Sequence, residues 1–287
     1  MNKKAVVHLW GGIGNQLFIY SFGEYLRHRY GLDVYYDLSS YGTTDIRNLE
    51  INAVTDHIPE YKTKWYFFTR HTGVFRRGSR ILFQALPGVY YTNNVFDESV
   101  LSKKYRLLYF DGYWQDKKYA EWMRENMPGF YDTVNSVPDV INNYLKEIEG
   151  KDVVSVHIRR GDYLLPQNAH LNVCTAEYYN EALHKIAGEK EGTFMVFSDD
   201  VEWVKSNLDF GKEVIYVDDK GVSPFWDIYL MSKCRYHIIS NSTFSWWGSF
   251  LDINESKRII APKRWRNDKE NPPLYDKQWE LIAIENH

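Results

Sequence analysis

The stretch Val153-Val154-Ser155-Val156-His157-Ile158-Arg159-Arg160-Gly161-Asp162-Tyr163 decides the fold. Its β-branched run reads as a buried strand over residues 153–159, and Gly161-Asp162 turns the chain directly after it. Strand-like runs recur at 193–198, 213–217, 236–240 and 258–261, with helical segments between them at 175–187, 200–207, 224–233 and 243–251. This alternation predicts a mostly parallel sheet with helices on both faces. The N-terminus repeats the plan: a β-rich run at 4–10, a turn at 11–14 and a helix at 15–30. The helix carries a stripe of Leu17, Phe18, Tyr20, Phe22, Tyr25 and Leu26, and is stopped by Gly31 before a strand at 32–37. Between these blocks a strand at 107–113 and helices at 116–126 and 138–149 are expected, and Gly150 is read as the domain boundary. The reading is an α/β chain of two Rossmann-like domains, 1–150 and 151–287, facing a cleft.

Composition narrows the function classes. A chain of 287 residues has room for about two domains, and 44% hydrophobic content with 23 Tyr, 15 Phe and 10 Trp excludes a disordered protein. With 35 basic against 38 acidic residues the net charge is −3, which disfavours a nucleic-acid partner. Two cysteines, Cys174 and Cys234, exclude a disulfide scaffold. No run of 18 apolar residues and no signal-peptide pattern occurs, so a soluble, cytoplasmic protein is expected. From Tyr61 to Phe96 there is no acidic residue, while Lys62, Lys64, Arg70, Arg76, Arg77 and Arg80 alternate with rings from Trp65 to Phe83. That run suits peripheral contact with anionic lipid headgroups or a pyrophosphate-linked acceptor, and equally a solvated face over aromatic packing.

Ligands of open parallel sheets bind beyond the carboxyl ends of the strands, so the residues following each predicted strand carry the chemistry. After the first strand of the second half, His157 and Arg159 share one face, and a guanidinium at a strand end grips phosphate oxygens bidentately. Arg160 either supports the turn through Asp162 or joins the ligand contacts. The next strand ends in Phe197-Ser198-Asp199-Asp200: Asp199 reads as a ligand group beside Ser198, and Asp200 as either a ligand or a helix N-cap. The fourth leads into Ser240-Asn241-Ser242-Thr243-Phe244-Ser245-Trp246-Trp247-Gly248, where Asn241, Ser242 and Thr243 open a helix whose amides suit an anion. Phe244, Trp246 and Trp247 read as core. The loop Gly11-Gly12-Ile13-Gly14-Asn15-Gln16 lacks the third glycine of a dinucleotide fingerprint, Leu17 standing there, which leaves a nicotinamide oxidoreductase a weak alternative. No phosphate-binding P-loop, no Asp-x-Asp pair and no metal-ligand spacing occurs, so no metal or other cofactor is expected. A non-catalytic sugar-binding protein accounts for the rings but not for the phosphate-type strand ends.

Taken together, the blocks Gly11 to Phe18, His157 to Tyr163, Phe197 to Asp200 and Asn241 to Gly248 resemble the α-1,2-fucosyltransferases of glycosyltransferase family 11. The resemblance implies a GT-B-like fold, an acceptor-side N-terminal domain and a C-terminal domain binding GDP-fucose. It implies metal-independent transfer of L-fucose, with inversion, to the 2-hydroxyl of a galactose-containing glycan. By the same resemblance Arg159 contacts the donor diphosphate, His157 and Asp199 lie near the nucleoside, and Ser242 and Thr243 lie near the phosphates. Gly12, Gly14, Asn15 and Gln16 join the substrate-binding residues. Ile13, Ile19 and Ser21 depart mildly from the family pattern. The sequence does not single out a general base; Asp37 and Asp111 are strand-end carboxylates of the acceptor half and either suits, while both also read as solvated turn residues. It assigns neither the acceptor nor an oligomeric state.

Overall fold

The structure is a computed structural model that describes residues 3–41, 47–62, 86–130, 136–187, 192–218 and 221–283. The chain divides into two units, Met1–Val134 and Asn135–His287. The first unit opens with β1 (Lys4–His8), α1 (Ile13–Tyr30) and β2 (Asp33–Asp37), followed by β3 (Val89–Asn93), β4 (Leu107–Asp111) and α2 (Lys117–Asn126). Its sheet is wholly parallel in the order β2-β1-β4-β3. α1 starts two residues before the sequence pattern places it, with Gly12 as N-cap, and ends where Gly31 takes the left-handed conformation at φ 64°. Its stripe packs as expected: Phe22 stacks on Trp114 at 3.9 Å and meets Phe110 and Tyr119 edge-on. Burial of a Phe this complete contributes about 1.5–3 kcal/mol. Strand β3 has no counterpart in the sequence reading, because it is a half-buried edge strand whose residues show no clean alternation.

The second unit runs α3 (Asp139–Ile148), β5 (Val153–Ile158), two 3-10 turns (Gly161–Leu164 and Pro166–Leu171), α4 (Ala176–Ala187), β6 (Thr193–Ser198) and α5 (Val201–Asn207). It continues with β7 (Val214–Tyr216), α6 (Phe225–Met231), β8 (Tyr236–Ile238), α7 (Thr243–Leu251), β9 (Arg258–Pro262) and β10 (Glu280–Ile282). The six strands are parallel in the order β10-β9-β8-β5-β6-β7. All six residues of β5 are buried, as its β-branched run predicts. The domain division lies before Gly150 because α3 belongs to the second unit. It packs against α6, buries Ile141 and Ile148, and the Tyr144 hydroxyl accepts from the Asp218 amide at 2.9 Å.

From β5 the chain winds outward through β6 and β7, then returns to β8 on the other flank of β5 and winds out through β9 and β10. The reversal leaves a topological switch point at the carboxyl ends of β5 and β8, where ligands of open α/β sheets bind. Trp246 and Trp247 are fully buried, as expected of a packing face. Phe244 departs from that expectation: it is half-buried, with its ring 5.3 Å from the His157 ring at the sheet edge. Tyr61 and Leu86 pack with Val6 and Tyr109. The basic and aromatic run between them lies largely at 63–85, outside the described residues. Among the described residues no helix is long and apolar enough to cross a membrane.

Candidate functional site

At the switch point of the second sheet, charge is concentrated on two consecutive arginines. The Arg159 guanidinium donates to Asp162 Oδ1 at 2.5 Å and faces Asp199 Oδ2 at 2.9 Å, with its side chain 23% exposed. Arg160 points the other way: its Nε meets Asp200 Oδ2 at 3.0 Å, and its guanidinium lies 3.8 Å from the Trp203 ring centroid. Asp162 therefore pairs with Arg159 and not with Arg160. Successive side chains leave a strand end in opposite directions, and the 3-10 turn at Gly161 brings residue 162 back over residue 159. Asp199 also accepts the Arg160 backbone N–H at 2.9 Å, so one carboxylate fixes both the arginine and the turn. Asp200 takes the cap role, accepting the Trp203 N–H at 3.1 Å. Ser198 supports it by accepting the Asp200 N–H at 3.0 Å. Gly161 leaves room for this contact: a Cβ there would lie 2.8 Å from Asp199 Oδ2, and the carboxylate would have to shift.

The β8 end closes the same corner. His157 Nδ1 and Ser240 Oγ are hydrogen-bonded at 2.8 Å, and the Tyr163 hydroxyl donates to the Asn241 carbonyl at 3.2 Å. Burial, and secondarily the Arg159 charge, push His157 down to about 3, so the imidazole is neutral beside the guanidinium. Burial pushes Tyr163 up to about 12 and keeps it a donor. Ser242 is the N-cap of α7, accepting the Phe244 N–H, and Thr243 begins the helix half-buried. Asn241 has a different part from the one read in the sequence. Its amide nitrogen donates to the carbonyls of Leu171 and Trp265 at 2.9 Å each, and its oxygen takes the Cys174 thiol. A buried amide engaged on both ends ties the loops together.

Gln16 is corrected in the same way. It is fully buried, donates to the carbonyls of Gly11 and Asn48, and accepts the amides of Glu50 and Ile51, all within 2.9 Å. All four hydrogen bonds available to a glutamine amide lie inside the protein, so Gln16 pins the chain around 48–51 onto α1. Asn15 remains half-buried at the loop, where its oxygen accepts from Gln115 at 2.8 Å. Gly12 is half-buried at the helix start, and Gly14 is buried within the first turn.

The carboxyl edge of the first sheet carries a second polar cluster, and here the sequence reading missed a residue. Asp111 Oδ1 is 2.9 Å from His8 Nδ1, and its Oδ2 accepts the Tyr91 hydroxyl at 2.6 Å. His8 Nε2 is 2.7 Å from Ser40 Oγ. Asp37, paired in register with His8, accepts the Tyr109 hydroxyl at 2.7 Å and the Ser39 N–H at 2.9 Å. Burial and the charges of Asp37 and Asp111 hold Tyr109 well above the ordinary tyrosine range. Both expected carboxylates are thus buried with both oxygens engaged, and neither stands at the surface as a solvated base. His8 escaped notice because it is a lone histidine in an apolar strand; only the register of β1, β2 and β4 brings it to Asp37 and Asp111. Among the described residues no group of three His, Cys, Asp or Glu is arranged to hold a metal ion.

Comparison with known proteins follows this geometry. The model of glycosyl transferase family 11 matches residues 92–283. An Escherichia coli O-antigen biosynthesis glycosyltransferase, WbnK, is 29% identical over 94% of this chain and 98% of its own. An alpha-1,2-colitosyltransferase of Escherichia coli is 28% identical over 93% of each chain. The galactoside alpha-(1,2)-fucosyltransferase 1 of Lagothrix lagotricha is 35% identical over 34% of this chain and 28% of its own. Among solved structures, the α-1,6-fucosyltransferase NodZ soaked with GDP-fucose superimposes with a TM-score of 0.50, covering 88% of this chain and 93% of that one at 13% identity. NodZ has been solved from Bradyrhizobium. That likeness is one of fold, and the fold is GT-B type: two α/β units with parallel sheets.

Proposed function

The chain belongs to glycosyl transferase family 11, and from that membership we propose that it transfers L-fucose from GDP-fucose to the 2-hydroxyl of a galactose-containing glycan, with inversion at the anomeric carbon. The observation that carries the reading is Arg159, a partly exposed guanidinium held in one orientation by Asp162 and Asp199 at the switch point of the second sheet. Departure of GDP leaves negative charge on the β-phosphate. Arg159 and the first amides of α7, with Ser242 and Thr243, stabilise that charge as it forms. An incoming diphosphate competes with Asp162 for the same N–H groups. Asp162 is the partner that gives way, because it sits on a short exposed turn. His157, neutral, and Asp199 border the nucleoside side. No metal is needed in this scheme, and activity is expected to survive chelation by EDTA. The first unit takes the acceptor, and contact with anionic lipid at 61–96 belongs to the same reading; co-sedimentation with anionic vesicles tests it.

A second donor has its own support, since one relative aligned over 93% of this chain is named an α-1,2-colitosyltransferase. Colitose lacks the 3-hydroxyl of fucose, so a site built to hydrogen-bond that hydroxyl discriminates strongly against it. The deciding experiment offers GDP-fucose and GDP-colitose in parallel with a panel of galactosides and analyses the linkage by NMR. An α-1,2 fucosyl product formed faster than the colitosyl one supports the proposal. Colitosyl product alone moves the donor assignment, and product from neither donor rejects the reading.

A further inference from the structure

We propose that Ser40, His8 and Asp111 form a proton relay that receives the proton of the acceptor hydroxyl, so that Ser40 is the group in contact with the acceptor and His8 and Asp111 position and polarise it. The inference rests on the functional reading above. It is carried by a chain of hydrogen bonds in one direction: Asp111 Oδ1 to His8 Nδ1 at 2.9 Å, and His8 Nε2 to Ser40 Oγ at 2.7 Å. A carboxylate accepts only, so the His8 ring donates from Nδ1 and leaves the lone pair of Nε2 toward the serine. The Ser40 hydroxyl then donates to Nε2. The three residues come from the end of β4, the end of β1 and the turn after β2, all at the carboxyl edge of one parallel sheet, where substrates of such sheets bind.

The surroundings fit a sugar hydroxyl. His8 stacks on Trp10 with centroids 5.7 Å apart, and Trp10 stacks on Tyr113 at 4.2 Å. Trp10 and Tyr113 are half-buried beside the buried His8, an aromatic wall of the kind a pyranose ring lies against. The groups around His8 are Asp111 from β4 and Asp37 from β2, with the phenols of Tyr91 and Tyr109 from β3 and β4 donating to those carboxylates. In the step, the acceptor oxygen bonds to the anomeric carbon as the bond from that carbon to the phosphate oxygen breaks and GDP departs. The acceptor proton passes to Ser40 Oγ while the Ser40 proton passes to His8 Nε2. The imidazolium later releases its proton to water, which restores the starting state.

The test compares the wild-type enzyme with Ser40→Ala and His8→Gln, following kcat and KM of transfer across pH, GDP affinity by calorimetry and melting temperature. The relay predicts that both variants lose roughly 10²–10³-fold in kcat, with GDP affinity within about twofold of wild type. It also predicts that the loss falls on kcat, with KM for the acceptor within about threefold of wild type. Folded variants that keep kcat within about threefold of wild type overturn it. The tautomer of His8 gives a readout independent of transfer and of variant folding. Nitrogen NMR of the wild-type ring at neutral pH is expected to show the proton on Nδ1. A proton on Nε2 makes His8 the donor to Ser40 and overturns the relay, whichever donor the enzyme uses. Absence of transfer from both donors, with the Nδ1 tautomer present, defeats the functional reading and leaves the relay's geometry standing.

Discussion

The two sheet edges solve opposite electrostatic problems. At the second, the ionised groups are partly exposed and arranged as full ion pairs, Arg159 with Asp162 and Asp199, and Arg160 with Asp200. At the first, two carboxylates are almost wholly buried and are satisfied by phenols, an imidazole and a backbone amide. Exposed pairs of this kind exchange partners at small cost, which suits a site that must release a charged nucleotide. A buried network is rigid, and removing one member strands the rest. Under the proposed reading, the second edge suits an ionic ligand, and the first a proton path or a neutral hydroxyl.

On the second edge the largest effect expected comes from its guanidinium. Arg159→Ala is predicted to lower kcat by roughly 10²–10³-fold while leaving the melting temperature unchanged within error. A folded variant with near-normal transfer breaks the contrast outright. On the first edge Tyr109→Phe leaves Asp37 with one partner fewer in a buried place. The prediction is a stability loss of about 1–3 kcal/mol, measured by urea denaturation. An effect within 0.5 kcal/mol, the usual scale of a surface substitution, shows that Asp37 is solvated after all.

Proton linkage bears on the second unit. His157 is held at about 3 by burial, whereas an unfolded histidine titrates near its model value of 6.5. The unfolded chain therefore binds more protons between these values. The stabilising difference is intact above the unfolded value and is lost as pH falls toward about 3. From pH 7 to pH 5 the native state is predicted to lose about 2 kcal/mol through this residue. His237, buried against Ser155 and Asp252, shifts in the same direction. Denaturation curves of His157→Gln are expected to show a shallower pH dependence than wild type, and an unchanged slope contradicts the assignment.

Smaller again is Gly161→Ala, whose new methyl pushes Asp199 off Arg159. GDP affinity is predicted to fall roughly tenfold by calorimetry, and an unchanged affinity shows that Asp199 is not the residue that orients the guanidinium. The smallest effect belongs to a surface pair used as a baseline. Lys205→Ala breaks an exposed contact to Glu202 and is predicted to change stability by less than about 0.5 kcal/mol in the same denaturation assay.

The same contrast explains what was legible in the sequence. The second edge is written in short contiguous blocks. Residues 157–162 and 197–200 each supply several members of one site, and strong β-branched runs locate the strands that end there. The first edge collects single residues from four strands and a turn: His8, Asp37, Ser40, Tyr91 and Asp111. No local pattern joins them, and strand register alone does. Side-chain partners were the least legible level. Gln16 and Asn241 have the look of ligand groups, yet their amides close on backbone carbonyls of distant loops, 32 and 70 residues away in sequence for Asn48 and Leu171. The short strands β3 and β10 escaped for another reason: each lies at a sheet edge and only half buries its residues.

The central claim is that the second unit binds a guanosine diphosphate sugar through Arg159. Its most direct test is calorimetric titration of GDP into wild type and Arg159→Ala in the presence of EDTA. The account predicts metal-independent binding by wild type and loss of at least roughly 10²-fold in affinity in the variant, with both proteins equally folded. Equal GDP affinity in the two, or wild-type binding that appears only when a divalent metal is restored, contradicts it.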